Sequence, residues 1–335
     1  MIQENINLKQ HNTFGIEVNA RRFATFSSIE ELRSLLSEKN DDSLLILGGG
    51  SNILFTKDFN GLVIKNEIKG FEIVDETEKF VHVKVGAGEV WHEFVLKCIE
   101  LDYGGVENLS LIPGSVGASP MQNIGAYGTE IKDIFIQLEA YKIDTGEIHI
   151  FNNEDCQFGY RESVFKKSLK DQYVIVSVTY RLTKEHLINS NYGAIENELT
   201  KRGITHATIR DISDSVIAIR SSKLPDPKKI GNAGSFFKNP IVDHKIVKEI
   251  AKNYHQFPHY PAPNGKIKLA AGWLIEQAGW KGKTFGNFGV HKLQALVLVN
   301  YSESKGDEIY DLSTRIITSV KEQFGITLER EVNII

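Results

Sequence analysis

The stretch GGVENLSLIPGSVGASPMQNIGAYG, residues 104–128, decides the fold. Its glycines, at 104, 105, 114, 117, 125 and 128, follow neither the three-to-four spacing of a helix nor the alternation of a strand. A loop this long inside a compact chain is usually functional. Its centre, Pro113–Ala118, is one of three glycine junctions. The second, Gly48 to Asn52, follows the apolar strand Leu44–Leu47, and the third, Gly86–Gly88, follows Val81, Val83 and Val85, which alternate with His82 and Lys84. Glycine lets a backbone approach a ligand closely and turn its N–H groups toward phosphate. Three junctions together point to a large phosphate-bearing cofactor gripped by loops.

Outward from that loop the pattern mixes helices and strands. Ser28 and Glu31 have capping-box spacing ahead of an Ile29, Leu32, Leu35, Leu36 stripe. Leu62–Ile64 reads as a strand, and Trp91, Phe94, Val95 and Cys98 as a helix face. Strands are predicted over 134–141 and 173–182, the latter with Val174, Val176 and Val178 on one side. Ile209, Ile212, Val216 and Ile219 mark a helix before the surface crossing SSKLPDPKK, residues 221–229. Pro240 is predicted to open a helix continued by Ile246, Val247 and Ile250. Leu274, Ile275 and Ala278 predict another helix, and 296–299 a buried strand. A last helix carries Ile316, Val320 and Phe324 and closes at Gly325. The final strand is predicted to bury Leu328, Val332 and Ile334 and expose Glu329 and Glu331.

Composition narrows the function. The 335 residues favour two or three domains, and 41% apolar with 24% charged residues is a folded soluble composition. A net charge of −4 does not fit a protein wrapped in nucleic acid. Two cysteines, Cys98 and Cys156, allow neither a disulfide framework nor a four-cysteine metal site. No apolar run approaches the roughly 20 residues of a membrane span, and MIQENINLKQHNTF lacks a secretory h-region. The expectation is a cytoplasmic monomer without metal, membrane or nucleic-acid partner.

Familiar fingerprints fail. Ile53 and Trp91 stand where a third dinucleotide-fold glycine belongs, Gln277 breaks a phosphate loop before Gly282-Lys283-Thr284, and Pro113 breaks a serine elbow. The ten histidines show no metal-binding spacing. Two segments stand out. Gly159-Tyr160-Arg161 offers a guanidinium for a carboxylate or developing oxyanion, against the plainer reading of a surface arginine. GNAGSFFKNP, residues 231–240, places Ser235 ahead of two aromatics, either as a tight turn or as a proton donor in a cramped site.

LGGGSN (47–52), IPGSVGASPMQNIGAYGTEI (112–131), FGYR (158–161), GNAGSFFKNP (231–240) and KLAAGWLIEQAG (268–279) closely resemble the UDP-N-acetylenolpyruvoylglucosamine reductase (MurB) family across nearly the whole chain. The resemblance implies an α+β fold: a two-part FAD-binding domain of the vanillyl-alcohol-oxidase (PCMH) type and a C-terminal α+β substrate domain. Its parts would be 1–65, 66–221 and 222–326, with strand 327–335 returning near the first. It implies FAD contacts at Gly48, Gly50, Ser51, Asn52, Pro113, Gly114, Ser115, Gly117, Asn123, Gly125, Ala126 and Tyr127. It implies catalytic roles for Arg161 and Glu331, which would stabilise negative charge, and for Ser235, which would donate a proton. Substrate contacts would be Lys223, Asn239, Tyr260, Lys268 and Lys281, with Tyr192 as the closing tyrosine of a type I member. The implied reaction is NADPH-dependent reduction of UDP-N-acetylglucosamine enolpyruvate to UDP-N-acetylmuramate. An FAD oxidase and a flavin-free nucleotide-sugar binding protein are the rival readings. The family commonly has arginine where this chain has Asn333.

Overall fold

The computed structural model describes residues 1–335. They form two compact units, one of Met1–Ile6, Ala20–Gly49 and Asn60–Ser222, the other of Asn7–Asn19, Gly50–Phe59 and Lys223–Ile335. No helix is long and apolar enough to cross a membrane.

The first unit holds two sheets. One has the strand order Gln3–Asn7, Asn19–Phe26, Phe59–Asn66, Ser43–Leu47, with the last two parallel. Helix Ile29–Ser37 buries Leu32 and Leu35 with Ala24, Phe26, Leu62 and Ile64 in one core. Its start shifts the expected capping box by one residue: Ser28 Oγ accepts from Glu31 N–H at 3.2 Å, but the Glu31 carboxylate takes the Ser27 N–H at 2.7 Å.

The second sheet is antiparallel, ordered Ile148–Asn152, Phe135–Lys142, Tyr173–Thr183, Phe80–Gly86, Phe71–Glu76. Its central strand corrects a sequence expectation. Val174 and Val176 belong to the core under helix Ile29–Ser37, whereas Val178, Tyr180 and Leu182 belong to a second, larger core. The register opposite Phe135–Lys142 slips between Glu139 and Ala140, leaving Val176 as the extra residue. One extra residue in a strand moves every following side chain to the other face. Helix Trp91–Glu100 covers the larger core, with the Phe94 ring stacked on Tyr180 at 5.1 Å and Trp91 edge-on at 5.9 Å. A third cluster joins helices Gly193–Lys201 and Ile209–Lys223 through Ile195, Leu199, Ile212, Val216 and Ile219, and Tyr127 packs against it. The 104–128 loop stays largely irregular, as its glycines predict.

The second unit holds two small antiparallel sheets and helix Gly306–Phe324, which ends at left-handed Gly325 as predicted. Pro240 does not open a helix. Its carbonyl accepts the Leu269 N–H at 2.9 Å and starts strand Ile241–Val242; the helix begins at His244 behind Asp243. The chain end is also not one continuous strand. Arg330 bridges Phe237, and only Asn333–Ile334 forms a strand, parallel to Ile53–Leu54. Leu328 and Val332 are nevertheless buried, as the alternation requires.

Candidate active site

In the first unit, Leu47 ends its strand and Gly48–Gly49 lies directly on the loop at Gly114–Ser115. A Cβ added at Gly49 would stand 2.9 Å from the Gly114 Cα, so only bare backbone allows this approach. The Gly86–Gly88 junction instead supports this loop from behind. Ala87 O accepts from Gly117 N–H at 2.9 Å and Glu89 O from Val116 N–H at 2.8 Å. Gly86 and Gly88 themselves donate to Gly70 and Ile68 carbonyls, both at 2.9 Å. Thus Gly117 has its amide committed to structure, while Pro113 is exposed and Ser115 buried.

Further along, Gly125–Ala126 pairs with Thr129–Glu130 in a two-residue hairpin. Its central residues, Tyr127 and Gly128, have φ of 48° and 81°. That is the pattern of a type I′ turn, where Asn or Gly is the usual first choice. Here the position goes to a tyrosine, whose ring meets Tyr192 edge-on at 5.3 Å. Tyr192, exposed, stands at the start of helix Gly193–Lys201. Burial pushes the Tyr127 hydroxyl above its ordinary value.

Arg161 occupies a second strained turn. Gly159 and Glu162 exchange backbone hydrogen bonds at 3.0 and 3.3 Å, and Arg161 between them has φ 58°. A non-glycine residue there costs on the order of 1 kcal/mol. Its guanidinium donates to Gly125 O at 2.6 Å and to Asn123 O at 3.5 Å. Asn123, fully buried and itself at φ 43°, ties the two turns together. Its amide donates to Gly159 O and the Glu130 carboxylate, both at 3.0 Å, and accepts the Lys132 N–H at 3.1 Å. That side chain is spent on holding the two turns together, and its backbone N–H donates to Pro120 O at 3.4 Å.

Sequence reasoning missed Arg220, a neighbour of Tyr127, and His92, a neighbour of Arg220. Arg220, on helix Ile209–Lys223, hydrogen-bonds Tyr127 and faces Arg161. His92 Nδ1 accepts the N–H of Leu111 at 3.0 Å, where Leu111 opens the loop at φ 59°. Burial, then the charge of Arg220, holds His92 below the usual imidazole value. Arg220 lies in a stretch read only for its helical stripe, and a lone arginine there carries no sequence signal.

In the second unit, Gly50 has φ 61°, and a Cβ there would meet the His11–Asn12 backbone. Half-buried Ser51 and Asn52 follow. Asn52 Nδ2 donates to Glu331 O at 3.3 Å. Asn333, the departure from the family pattern, holds the Asn52 carbonyl with both its backbone N–H, at 3.0 Å, and its side-chain amide, at 2.9 Å. The loop around Ser235 is fixed by Asn232, which caps Gly234 N–H at 3.0 Å and donates to Pro225 and Ile230 carbonyls. Phe236 is buried, and its carbonyl accepts the Glu331 N–H at 2.8 Å. Ser235 and Glu331 are thereby brought onto adjoining chain segments.

The sheet of Ile241–Val242, Ile267–Leu269 and His259–Pro261 pairs Tyr260 directly with Lys268. Directly opposed residues share a face. Asn239 Oδ1 accepts the Ala271 N–H at 2.9 Å, at the start of helix Ala271–Gln277. Lys281 is ion-paired with Glu276 at 2.9 Å, and Lys223 is the exposed last residue of its helix.

These loops fit a phosphate-bearing flavin cofactor. Residues 47–49 and 112–119 of the first unit contain no carboxylate, their closest approach is bare backbone, and Arg220 presents a buried Nε without an acceptor. Backbone amides and guanidinium groups are the donor set for an anion.

Comparison with known proteins agrees. The profile described as "FAD binding domain" matches residues 20–152, and that of "UDP-N-acetylenolpyruvoylglucosamine reductase, C-terminal domain" matches 226–335. The UDP-N-acetylenolpyruvoylglucosamine reductase of Flavobacterium johnsoniae is 53% identical, covering 100% of this chain and 99% of that protein. That of Bacteroides fragilis is 44% identical over 100% of both. The solved enzyme of the same name from Thermus caldophilus shares the fold, with a TM-score of 0.71, 22% identity, and coverage of 100% of this chain and 99% of that one. The α+β fold with an N-terminal FAD-binding domain and a C-terminal substrate domain is therefore shown, and the chain belongs to the UDP-N-acetylenolpyruvoylglucosamine reductase family.

Proposed function

We propose that Arg161, Ser235 and Glu331 carry the chemistry of this family member in the cytoplasm, with NADPH as electron donor. The reaction is the NADPH-dependent, FAD-mediated reduction of UDP-N-acetylglucosamine enolpyruvate to UDP-N-acetylmuramate. When bound, FAD supplies the hydride chemistry, accepting from the nicotinamide and delivering to the vinyl carbon of the enolpyruvyl ether. The protein has to bind, orient and handle charge. Arg161 opposes the negative charge that develops beside the substrate carboxylate. Glu331 serves the same end in its protonated form, since a bare carboxylate would oppose that charge. Ser235 Oγ donates the proton to the carbon next to the carboxylate. A hydroxyl is a weak acid, so its positioning between Gly234 and buried Phe236 matters more than its acidity.

Lys268, Tyr260, Asn239, Lys223 and Lys281 serve the UDP-sugar, the lysines as point charges for its diphosphate. Lys281 would have to exchange its Glu276 partner for that role. Tyr192, supported by the Tyr127 ring, closes over the substrate. The working division is 1–65 and 66–221 for FAD and 222–326 for the nucleotide sugar.

The observation that carries this reading is Arg161 itself. A guanidinium stands in a left-handed turn that a buried asparagine ties in place, and it is braced on the Gly125 carbonyl. The test is one anaerobic cuvette. The purified protein should show a flavin spectrum that bleaches with NADPH and returns on adding UDP-N-acetylglucosamine enolpyruvate. Bleaching without return would reject the substrate, and no flavin after reconstitution with FAD would reject the reading entirely.

A further inference from the structure

Two other arginines of this chain show how a packed guanidinium finds acceptors. Arg330 Nε donates to Ser313 Oγ at 2.8 Å and an outer nitrogen to Thr314 Oγ1 at 2.6 Å, with the group laid over Tyr310 at 4.4 Å. Arg22 pairs with Asp42 at 2.8 Å and also donates to Glu38 O at 3.0 Å. Arg220 is different. It is half-buried, its Nε is sealed from solvent, and that Nε has no acceptor. The groups that face it are Tyr127, Arg161 and His92, and none is acidic. His92 cannot supply an acceptor while neutral, because its Nδ1 is already used by Leu111 N–H and its Nε2 carries the proton. A second guanidinium nearby makes the arrangement worse until an anion arrives. Burial and then Arg161 disfavour the charge on Arg220, and Tyr127 partly offsets them.

We propose that Arg220 is a second anion-binding residue of this site, sharing with Arg161 a planar, delocalised negative charge. This rests on the functional reading above and goes further by naming a residue and the anion class it takes. That class has two sources in the reaction: the carboxylate of the enolpyruvyl group and the anionic ring of reduced flavin. Both present two coplanar acceptors, which suits the fork of a guanidinium and does not suit a single ammonium. The Tyr127 hydrogen bond holds one part of the fork and leaves Nε for the ligand.

The test uses FAD-loaded wild type, Arg220→Met and Arg220→Lys. Each is titrated, by flavin absorbance, with UDP-N-acetylglucosamine enolpyruvate and with UDP-N-acetylglucosamine, which lacks the carboxylate. Each flavin midpoint potential is also measured. If the substrate carboxylate is the anion, Arg220→Met weakens the enolpyruvyl ligand at least tenfold more than the sugar nucleotide. If reduced flavin is the anion, both affinities hold and the midpoint falls by about 30 mV or more, a tenfold change for two electrons. Arg220→Lys keeps the charge without the fork and should show an intermediate change in the same readout; it carries the test alone if the methionine variant fails to hold FAD. Affinities within twofold of wild type and an unmoved midpoint, in whichever variants hold FAD, would overturn the proposal. A wild-type protein that responds to neither nucleotide would sink the functional reading instead, and the midpoint measurement would still judge Arg220.

Discussion

The segments that present Arg161 and Ser235 are built in opposite ways. In the Gly159–Glu162 turn Arg161 itself takes the left-handed position, at φ 58°, and Tyr127 does the same at φ 48° in the neighbouring hairpin. Around Ser235 a glycine takes it instead, Gly234 at φ 68°. The first arrangement is strained and held by side chains, chiefly the Asn123 amide. The second puts glycine at the left-handed position and is held by the Asn232 side chain together with backbone bonds, Phe236 N–H to Leu296 O at 2.7 Å and Glu331 N–H to Phe236 O at 2.8 Å. A long charged side chain gains from being aimed by a turn with one outcome. A short hydroxyl can only be aimed by moving its backbone. The two regions should therefore fail differently when their supports are removed.

The largest difference is expected at Asn123. Replacing it with Ala removes three hydrogen bonds, leaves the Gly159 carbonyl with the Glu162 N–H alone, and puts a residue less tolerant of φ 43° at that position. At about 1 kcal/mol per bond, Asn123→Ala should lose about 3 kcal/mol in urea denaturation. A loss below about 1 kcal/mol would mean the strained turns hold without their asparagine, and the contrast between the regions would collapse.

A smaller effect is expected at Gly234. An added Cβ meets nothing within 4 Å, so Gly234→Ala carries only the torsional cost of the left-handed position. That is about 1 kcal/mol, read from the same denaturation curve. A loss as large as that of Asn123→Ala would show that the Ser235 loop is also under strain, through packing its backbone does not reveal.

Much of the architecture was legible because periodicity reports burial. The stripes at Trp91–Cys98, Ile209–Ile219 and Ile316–Phe324 became helices with those faces inward. The glycine junctions at 48–50 and 113–118 were legible because only glycine permits such approaches. What stayed hidden was set by long-range pairing. Val178 looked like a partner of Val174 until the bulge at Val176 turned it over. Phe71–Glu76, FEIVDE, has only one partly buried side chain, so no apolar pattern announced its strand. Pro240 followed a local preference that the pairing with Leu269 overrode. The roles proposed for Arg161, Ser235 and Glu331 come from resemblance to a family, since nothing in their spacing singles them out. Arg220 and His92 were missed because their significance lies in which partners they lack or share.

The subtlest prediction tests whether the strained region is also the pH-sensitive one. Glu107 sits near the start of the long glycine-rich loop, 3% exposed, with its carboxylate accepting the Gly105 N–H at 2.6 Å. Burial raises its pKa above the ordinary 4.5, more than its backbone hydrogen bonds lower it. A carboxyl with a raised folded-state value contributes stability that is complete below the unfolded value and is lost as pH rises through the folded one. Wild type should therefore lose stability on going from pH 4.5 upward through the Glu107 titration, a loss that Glu107→Gln would not share. Glutamine keeps an oxygen for Gly105 and carries no charge to bury. Urea midpoints for the two proteins, measured from pH 4.5 to 8, should diverge with increasing pH in favour of the variant. Parallel profiles would place the ionised Glu107 among groups that stabilise its charge, and would leave backbone strain as the one property separating the two regions.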